Sequence, residues 1–166
     1  MTQPDKIAAA RDQLNRTLAF FPRVDTKASV LLAVDTSMLA FLTSKAAPSV
    51  SVSWLLLPIA IAACLLAFGL WHLYREAFPA LDGGEESNIY FREISKRTEA
   101  KYVEAWTKMS ESDYLNDLLG QVWRNSHILT DKFNHVRIAF NYLALAIAPW
   151  LIAIAWLSWN AAQVPK

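Results

Sequence analysis

The sequence predicts an all-α integral membrane protein: three transmembrane helices, the first of them short, an N-terminal amphipathic helix and a cytoplasmic helical domain. Three observations predict it. Apolar runs cover about Ala28–Ser44, Trp54–Tyr74 and Ile138–Trp159. The 166 residues are 54% hydrophobic and include seven Trp, five of them (Trp54, Trp71, Trp150, Trp156 and Trp159) in or at the edges of those runs. All but two of the 16 Lys and Arg, Lys45 and Lys166, lie before the first run or between the second and third.

A helix rises about 1.5 Å per residue, so about 20 apolar residues cross the hydrocarbon core. The second and third runs carry no charge and are long enough. The first is shorter and carries Asp35 in its middle. Trp at the run edges suits rings that prefer the headgroup level, and the Lys/Arg bias places the N-terminus and the central region in the cytoplasm. The segment Lys45–Ser53 and the C-terminal tail then face outward. The organisation read from these patterns is an N-terminal helix over 1–24, a transmembrane hairpin over 25–75, a cytoplasmic helical domain over 76–137 and a third span over 138–160.

The elements follow in order. Pro4 suits the first turn of a helix, where a missing N–H is harmless. Ile7, Leu14, Leu18 and Phe21 then share one face, and Pro22 ends or bends that helix. No apolar core follows the first charges, so no signal peptide is expected. Pro, Asp and Gly mark the run Pro79–Ser87 as a loop. One helix is expected over about 95–109. Another starts near Ser110, where Ser110-x-x-Asp113 forms a capping box, and runs unbroken into the third span. Leu115, Leu118, Val122, Leu129, Phe133, Val136 and Phe140 form its apolar seam, within one chain or between subunits.

The chemistry-bearing residues are sparse. A net charge of +1 gives no electrostatic case for nucleic acid. Cys64 reads as a small buried hydrophobe, with no disulfide or metal framework. His72, His127 and His135 read as lone histidines, and no hydrolase, zinc or phosphate-loop motif is present, so neither an enzyme nor a cofactor is expected. Asp35 is costly in mid-span; it pairs with another chain, lines a pore or lies nearer the interface. Asp25 and Lys27 stand where the first span begins, suited to backbone, headgroups or the cytoplasmic domain. Asn88-Ile89-Tyr90-Phe91-Arg92 joins an amide, two rings and a guanidinium. Those types suit a nucleotide by stacking and phosphate pairing, and equally an apolar anchor at a helix start.

The phrase Asp25-Thr26-Lys27-Ala28-Ser29-Val30-Leu31-Leu32-Ala33 resembles the Pycsar transmembrane effector family. So does the later order of Asn88-Ile89-Tyr90-Phe91-Arg92-Glu93-Ile94, Tyr102, Asp113-Tyr114-Leu115, Asp117-Leu118, Gln121, Ser126 and Lys132. The resemblance spans roughly residues 10 to 160; Asp35 departs from the uncharged amide or small residue it leads one to expect. It implies antiphage defence in the bacterial inner membrane. A partner nucleotide cyclase makes a cyclic pyrimidine mononucleotide, cyclic CMP or cyclic UMP. The effector, as a homo-oligomer, senses it and impairs the bilayer. A pocket for that ligand needs a cation, a stacking ring and amides. The candidates are Tyr90, Phe91, Arg92, Gln121, Arg124, Asn125 and Lys132. The alternatives are a passive scaffold that recruits a partner protein and a holin-like pore that needs no nucleotide.

Overall fold

The computed structural model describes residues 1–46, 56–78 and 84–163. The outward segment expected at Lys45–Ser53, Trp54, the first part of the loop from Pro79 and the end of the C-terminal tail fall wholly or mostly outside the described residues. The chain is all-α. Its helices are α1 Gln3–Leu18, α2 Phe21–Ala46, α3 Leu56–Ala77, α4 Phe91–Ser95, α5 Glu99–Lys108 and α6 Glu111–Gln163. The stretches Gln3–Lys45, Leu56–Ala77 and Glu111–Trp159 are long and apolar enough to cross a membrane.

Local chemistry sets the helix ends. Thr2 caps α1 with a capping box to Asp5, and Pro4 lies in the first turn. The α1 face differs from the expected one: Ala10, Leu14 and Thr17 are buried, whereas Leu18 is 43% exposed. Pro22 does not end α1, which stops at Leu18; it sits in the first turn of α2, where its missing N–H is tolerated. The helix expected over 95–109 is α5, which starts later, at Glu99, capped by the Thr98 side chain; the short α4 before it was not expected. The Ser110–Asp113 box forms as expected, with Asp113 N–H donating to Ser110 Oγ at 3.1 Å. From there α6 runs for 53 residues through Pro149. A proline inside a span is tolerated because neighbouring helices and local adjustments accommodate the carbonyl it leaves unbonded.

The chain divides into two compact units, Met1–Arg23 with Pro79–Asp131, and Val24–Phe78 with Lys132–Lys166. In the first, Ala10, Leu14 and Leu118 form the core, with Ile7, Ile89, Tyr114, Leu115 and Val122 packed on it. Arg11 Nη2 donates to the Tyr114 hydroxyl at 3.1 Å.

The second unit holds the apolar helices. Its buried positions recur at intervals of three, four or seven residues: Val24, Ala28, Asp35 and Leu42 on α2; Ala62, Leu66, Gly69, Leu73 and Glu76 on α3; Lys132, Val136, Ala139, Leu143, Ala146, Ala153 and Leu157 on α6. A repeat of seven residues over two turns is the signature of helices packed side by side along a shallow left-handed seam. In this unit the expected α6 seam holds at Val136, 7% exposed, but not at Phe140, which is 56% exposed; Ala139 and Leu143 take its place. Hydrophobic burial drives nothing between helices in lipid, so small residues that permit close approach matter more. Ala62 and Ala146 are fully buried, and Ala139 and Ala153 are 1% exposed. Trp150 packs into this core and donates its Nε1–H to the Met38 carbonyl at 3.0 Å. Cys64 is exposed rather than buried, because it falls on the outer face of α3 between the buried positions.

Candidate functional site

Two polar clusters stand out, one in each unit. In the first unit the hub is Ser87, 5% exposed. Its hydroxyl donates to Asp117 Oδ1 at 2.7 Å. It accepts from Ile89 N at 3.1 Å, Tyr90 N at 2.9 Å and Gln121 Nε2 at 3.0 Å. The second Asp117 oxygen accepts from Asn88 N at 2.8 Å. Arg97 donates to Asn88 Oδ1 and to the Glu86 carbonyl, the latter at 2.7 Å. This knot fastens residues 86–90, which would otherwise carry unmet backbone donors, to α6. The turn before it needs a left-handed backbone: Gly84 has φ 86° and Glu86 φ 60°. A Cβ at Gly84 would lie 2.8 Å from Tyr90 Cδ1, so glycine there lets the Tyr90 ring lie against the backbone. Beyond the knot, the Glu93 carboxyl is held below the usual glutamate range, chiefly by its hydrogen bond from Lys96 at 2.5 Å.

The second unit carries a column of polar side chains between its helices. At one end, Lys132 Nζ donates to Glu76 Oε1 at 2.6 Å, Asp25 Oδ1 at 2.8 Å and the Glu76 carbonyl at 3.0 Å. Three N–H donors meet three acceptors, so the buried ammonium is fully satisfied. A cavity of about 260 Å³ opens on this cluster, lined also by Ser29 and Leu32. One turn further along α3 and α6, His72 and His135 face each other with Nδ1 atoms 3.0 Å apart, and the Tyr142 ring stacks on His72. At 3.0 Å one Nδ1 must donate and the other accept. Another turn on, Asp35 from α2 lies against Gly69 and is 1% exposed. A Cβ on Gly69 would stand 2.6 Å from Asp35 Oδ2 and 3.7 Å from the Ala139 carbonyl, so α2, α3 and α6 meet here.

The residues singled out from the sequence are only partly brought together. Gln121 enters the Ser87 knot, and Tyr90 joins it through its backbone. Phe91 packs edge-on to Tyr90, with ring centroids 5.0 Å apart, and is 64% exposed. Arg92 is exposed on α4. Asn125 Nδ2 donates to the Gln121 carbonyl of its own helix, and Arg124 curls over Gly120 with its buried Nε unpartnered. Lys132 belongs to the other unit and is spent on Asp25 and Glu76. Asp25 thus pairs with α6, while Lys27 lies 5.5 Å over the Phe133 ring and lines an apolar groove with Arg137. His72 and His135 are not lone histidines; only His127 has no histidine partner, and it packs on Trp123. Sequence reasoning missed Ser87 as a hub, and missed Glu76, Arg97 and Gly69. An acidic residue closing an apolar run was the available signal for Glu76.

Membrane-length apolar helices, a polar interior and a separate small helical unit define an all-α transmembrane protein. The sequence pattern described as the Pycsar effector protein domain matches residues 9–159, and the chain belongs to that family. It is accordingly an antiphage-defence transmembrane effector, of a family whose signalling runs through cyclic pyrimidine nucleotides. Neither a curated protein nor a solved structure matches it.

Proposed function

We propose that this chain senses cyclic CMP or cyclic UMP through its first unit and, without catalysing a reaction, impairs the integrity of the bacterial inner membrane through its spans. A neighbouring nucleotide cyclase supplies the ligand on infection. The N-terminus and the region over 76–137 face the cytoplasm, in keeping with the Lys/Arg bias. Lys27 and Arg137 suit the headgroup phosphates of the bilayer there. The effector works as a homo-oligomer, whose spans reorganise together when the ligand binds.

The observation that carries this reading is the Ser87 knot. It ties the Tyr90 backbone, next in the chain to Phe91 and Arg92, to Asp117 and Gln121 on α6; Tyr90, Phe91 and Arg92 are the ring and cation types a cyclic mononucleotide requires. The same helix continues to Lys132 and His135 among the spans. A base stacked on Phe91 and a phosphate at Arg92 would pull on Ser87, and through it on α6. The ligand shifts the balance of two packings only if it binds one more tightly than the other. Lys132, held by two carboxylates, is left to the membrane part.

Titrating cyclic CMP and cyclic UMP onto the purified full chain in detergent tests this by heat. Binding of one is expected, weakened roughly ten- to a hundredfold by Arg92→Ala, the loss of one charge-assisted phosphate contact. No heat with either nucleotide on folded protein overturns the sensing role. Growth arrest on expression without any cyclase would instead favour a nucleotide-independent pore, and no arrest with an active cyclase a scaffold.

A further inference from the structure

The bundle of spans carries more polar chemistry than anchoring requires, buried at its two ends and part-buried at the histidines between them. Three turns of the bundle present, in order, the Asp25–Lys132–Glu76 cluster, the His72–His135 pair and Asp35. From Glu76 to His72 to Gly69 is four and then three residues on α3. From Lys132 to His135 to Ala139 is three and then four on α6. Each step is therefore about 5 Å of helix. The residues are in register across two helices, with α2 supplying Asp25 and Asp35 at the two ends.

Asp35 is the anomaly. It is 1% exposed, its Oδ1 has no hydrogen-bond partner, and among the described residues no cation forms an ion pair with it. An unpaired carboxylate is costly in such a place, and taking up a proton removes the charge. Gly69 keeps open the space the carboxyl occupies, since even a methyl group would meet Oδ2. Past Asp35 the column ends. Leu66, Leu143 and Ala146, flanked by Leu31, Met38 and Trp150, close the bundle, followed by Leu42, Ala62, Ala153 and Leu157. Polar groups are thus interspersed with Ala28, Leu73, Val136 and Ala139 in one half of the bundle, while the other half is apolar.

We propose that Asp35 is a proton-binding site inside the membrane, loaded through the His72–His135 pair from the end where the Asp25–Lys132–Glu76 cluster opens on its cavity. The transfer balances simply. A hydronium ion that reaches the part-buried pair from the cavity side gives its proton to an imidazole nitrogen and becomes water. The imidazolium then passes a proton to the Asp35 carboxylate and returns to neutral, leaving a neutral acid. No oxidant or second reactant is needed. Tyr142 on α6 stacks on His72 and Arg75 on α3 acts on it through its charge, and the Lys132, Asp25 and Glu76 cluster lies one turn away along α3 and α6. The apolar half stops the proton at Asp35, so the site is a half-channel. This holds whether or not a nucleotide binds the first unit, and no nucleotide enters its test.

Dicyclohexylcarbodiimide dissolves in the bilayer and reacts with protonated carboxyls in apolar surroundings. Membrane vesicles carrying the full chain, right-side-out and inverted, are treated over a range of external pH with the internal pH clamped and then over a range of internal pH with the external pH clamped, and modification is located by peptide mass. Asp35 is expected to be modified, with a rate that falls about tenfold per pH unit above its titration point. The rate should follow the external pH in one vesicle type and the internal pH in the other. Asp35→Asn abolishes the modification. The pair His72→Leu and His135→Leu lengthens the response to a pH jump at least about tenfold, reporting the relay, while the Asp35 peptide still reacts at equilibrium. Absence of label on Asp35 at every pH, a rate indifferent to pH, equal response to both sides, or an unchanged response time in the double histidine variant each overturns the proposal.

Discussion

Lys132→Met removes the cation that Asp25 and Glu76 share, and its effect is computable from the two partners' surroundings. The Glu76 side chain is 4% exposed and that of Lys132 9%, whereas that of Asp25 is 54% exposed. At 2.6 Å and an effective dielectric of about 20, the Lys132–Glu76 attraction is about 6 kcal/mol before the cost of desolvating both ions is set against it. Most of that is offset, so the pair adds little net stability, yet breaking it leaves Glu76 buried without a counter-charge at about 3–5 kcal/mol. Asp25→Asn loses only a half-solvated contact, about 1 kcal/mol or less. The double variant Lys132→Met with Glu76→Leu removes both charges and should return to within about 1–2 kcal/mol of the wild type. Unfolding in mixed micelles, followed by loss of helical circular dichroism, measures all four proteins. Equal losses for Lys132→Met and Asp25→Asn, or a double variant no more stable than Lys132→Met, would refute the reasoning that Glu76 is the partner that matters.

Two further outcomes test other contacts. Gly69→Ala should cost about 1–3 kcal/mol by crowding Asp35 Oδ2, reduced by about 1 kcal/mol of helix propensity; with Asp35→Ala present only the gain remains. The same unfolding assay detects this coupling, and equal effects in both backgrounds would show that the two residues do not touch. Ser87→Ala should destabilise the first unit by about 1–3 kcal/mol, because Gln121 and the Ile89 and Tyr90 amides lose their acceptor. Hydrogen exchange at those amides reads it directly, and unchanged protection would mean that water replaces the hydroxyl at no cost.

How much was legible differs by element. The spans, the Ser110 box and the unbroken α6 came from hydropathy and capping residues close together in the chain. The α6 seam expected from the sequence holds at Val136 among the spans and departs at Phe140. Large apolar residues such as Phe140 draw the eye, while in lipid the packed face is marked by alanines. The start of α5 turns on Thr98, whose hydroxyl caps that helix, a signal as local as Ser110. For the site, Gln121 and Tyr90 were named but not the serine that joins them, because a serine in a loop looks like any other.

What the sequence by itself determined, then, is which segments are helical, which of them are apolar enough for a membrane, and where the charge lies. These depend on residues a few positions apart. The tertiary structure alone decided that Lys132 meets Asp25 from 107 residues away and Glu76 from 56, that His72 meets His135 from 63, and that Asp35 turns inward on Gly69. Those meetings depend on the rotation and register of each helix against its neighbours. A helix of any rotation satisfies the same local hydropathy in lipid, and only packing across the bundle selects the one that brings the charges together.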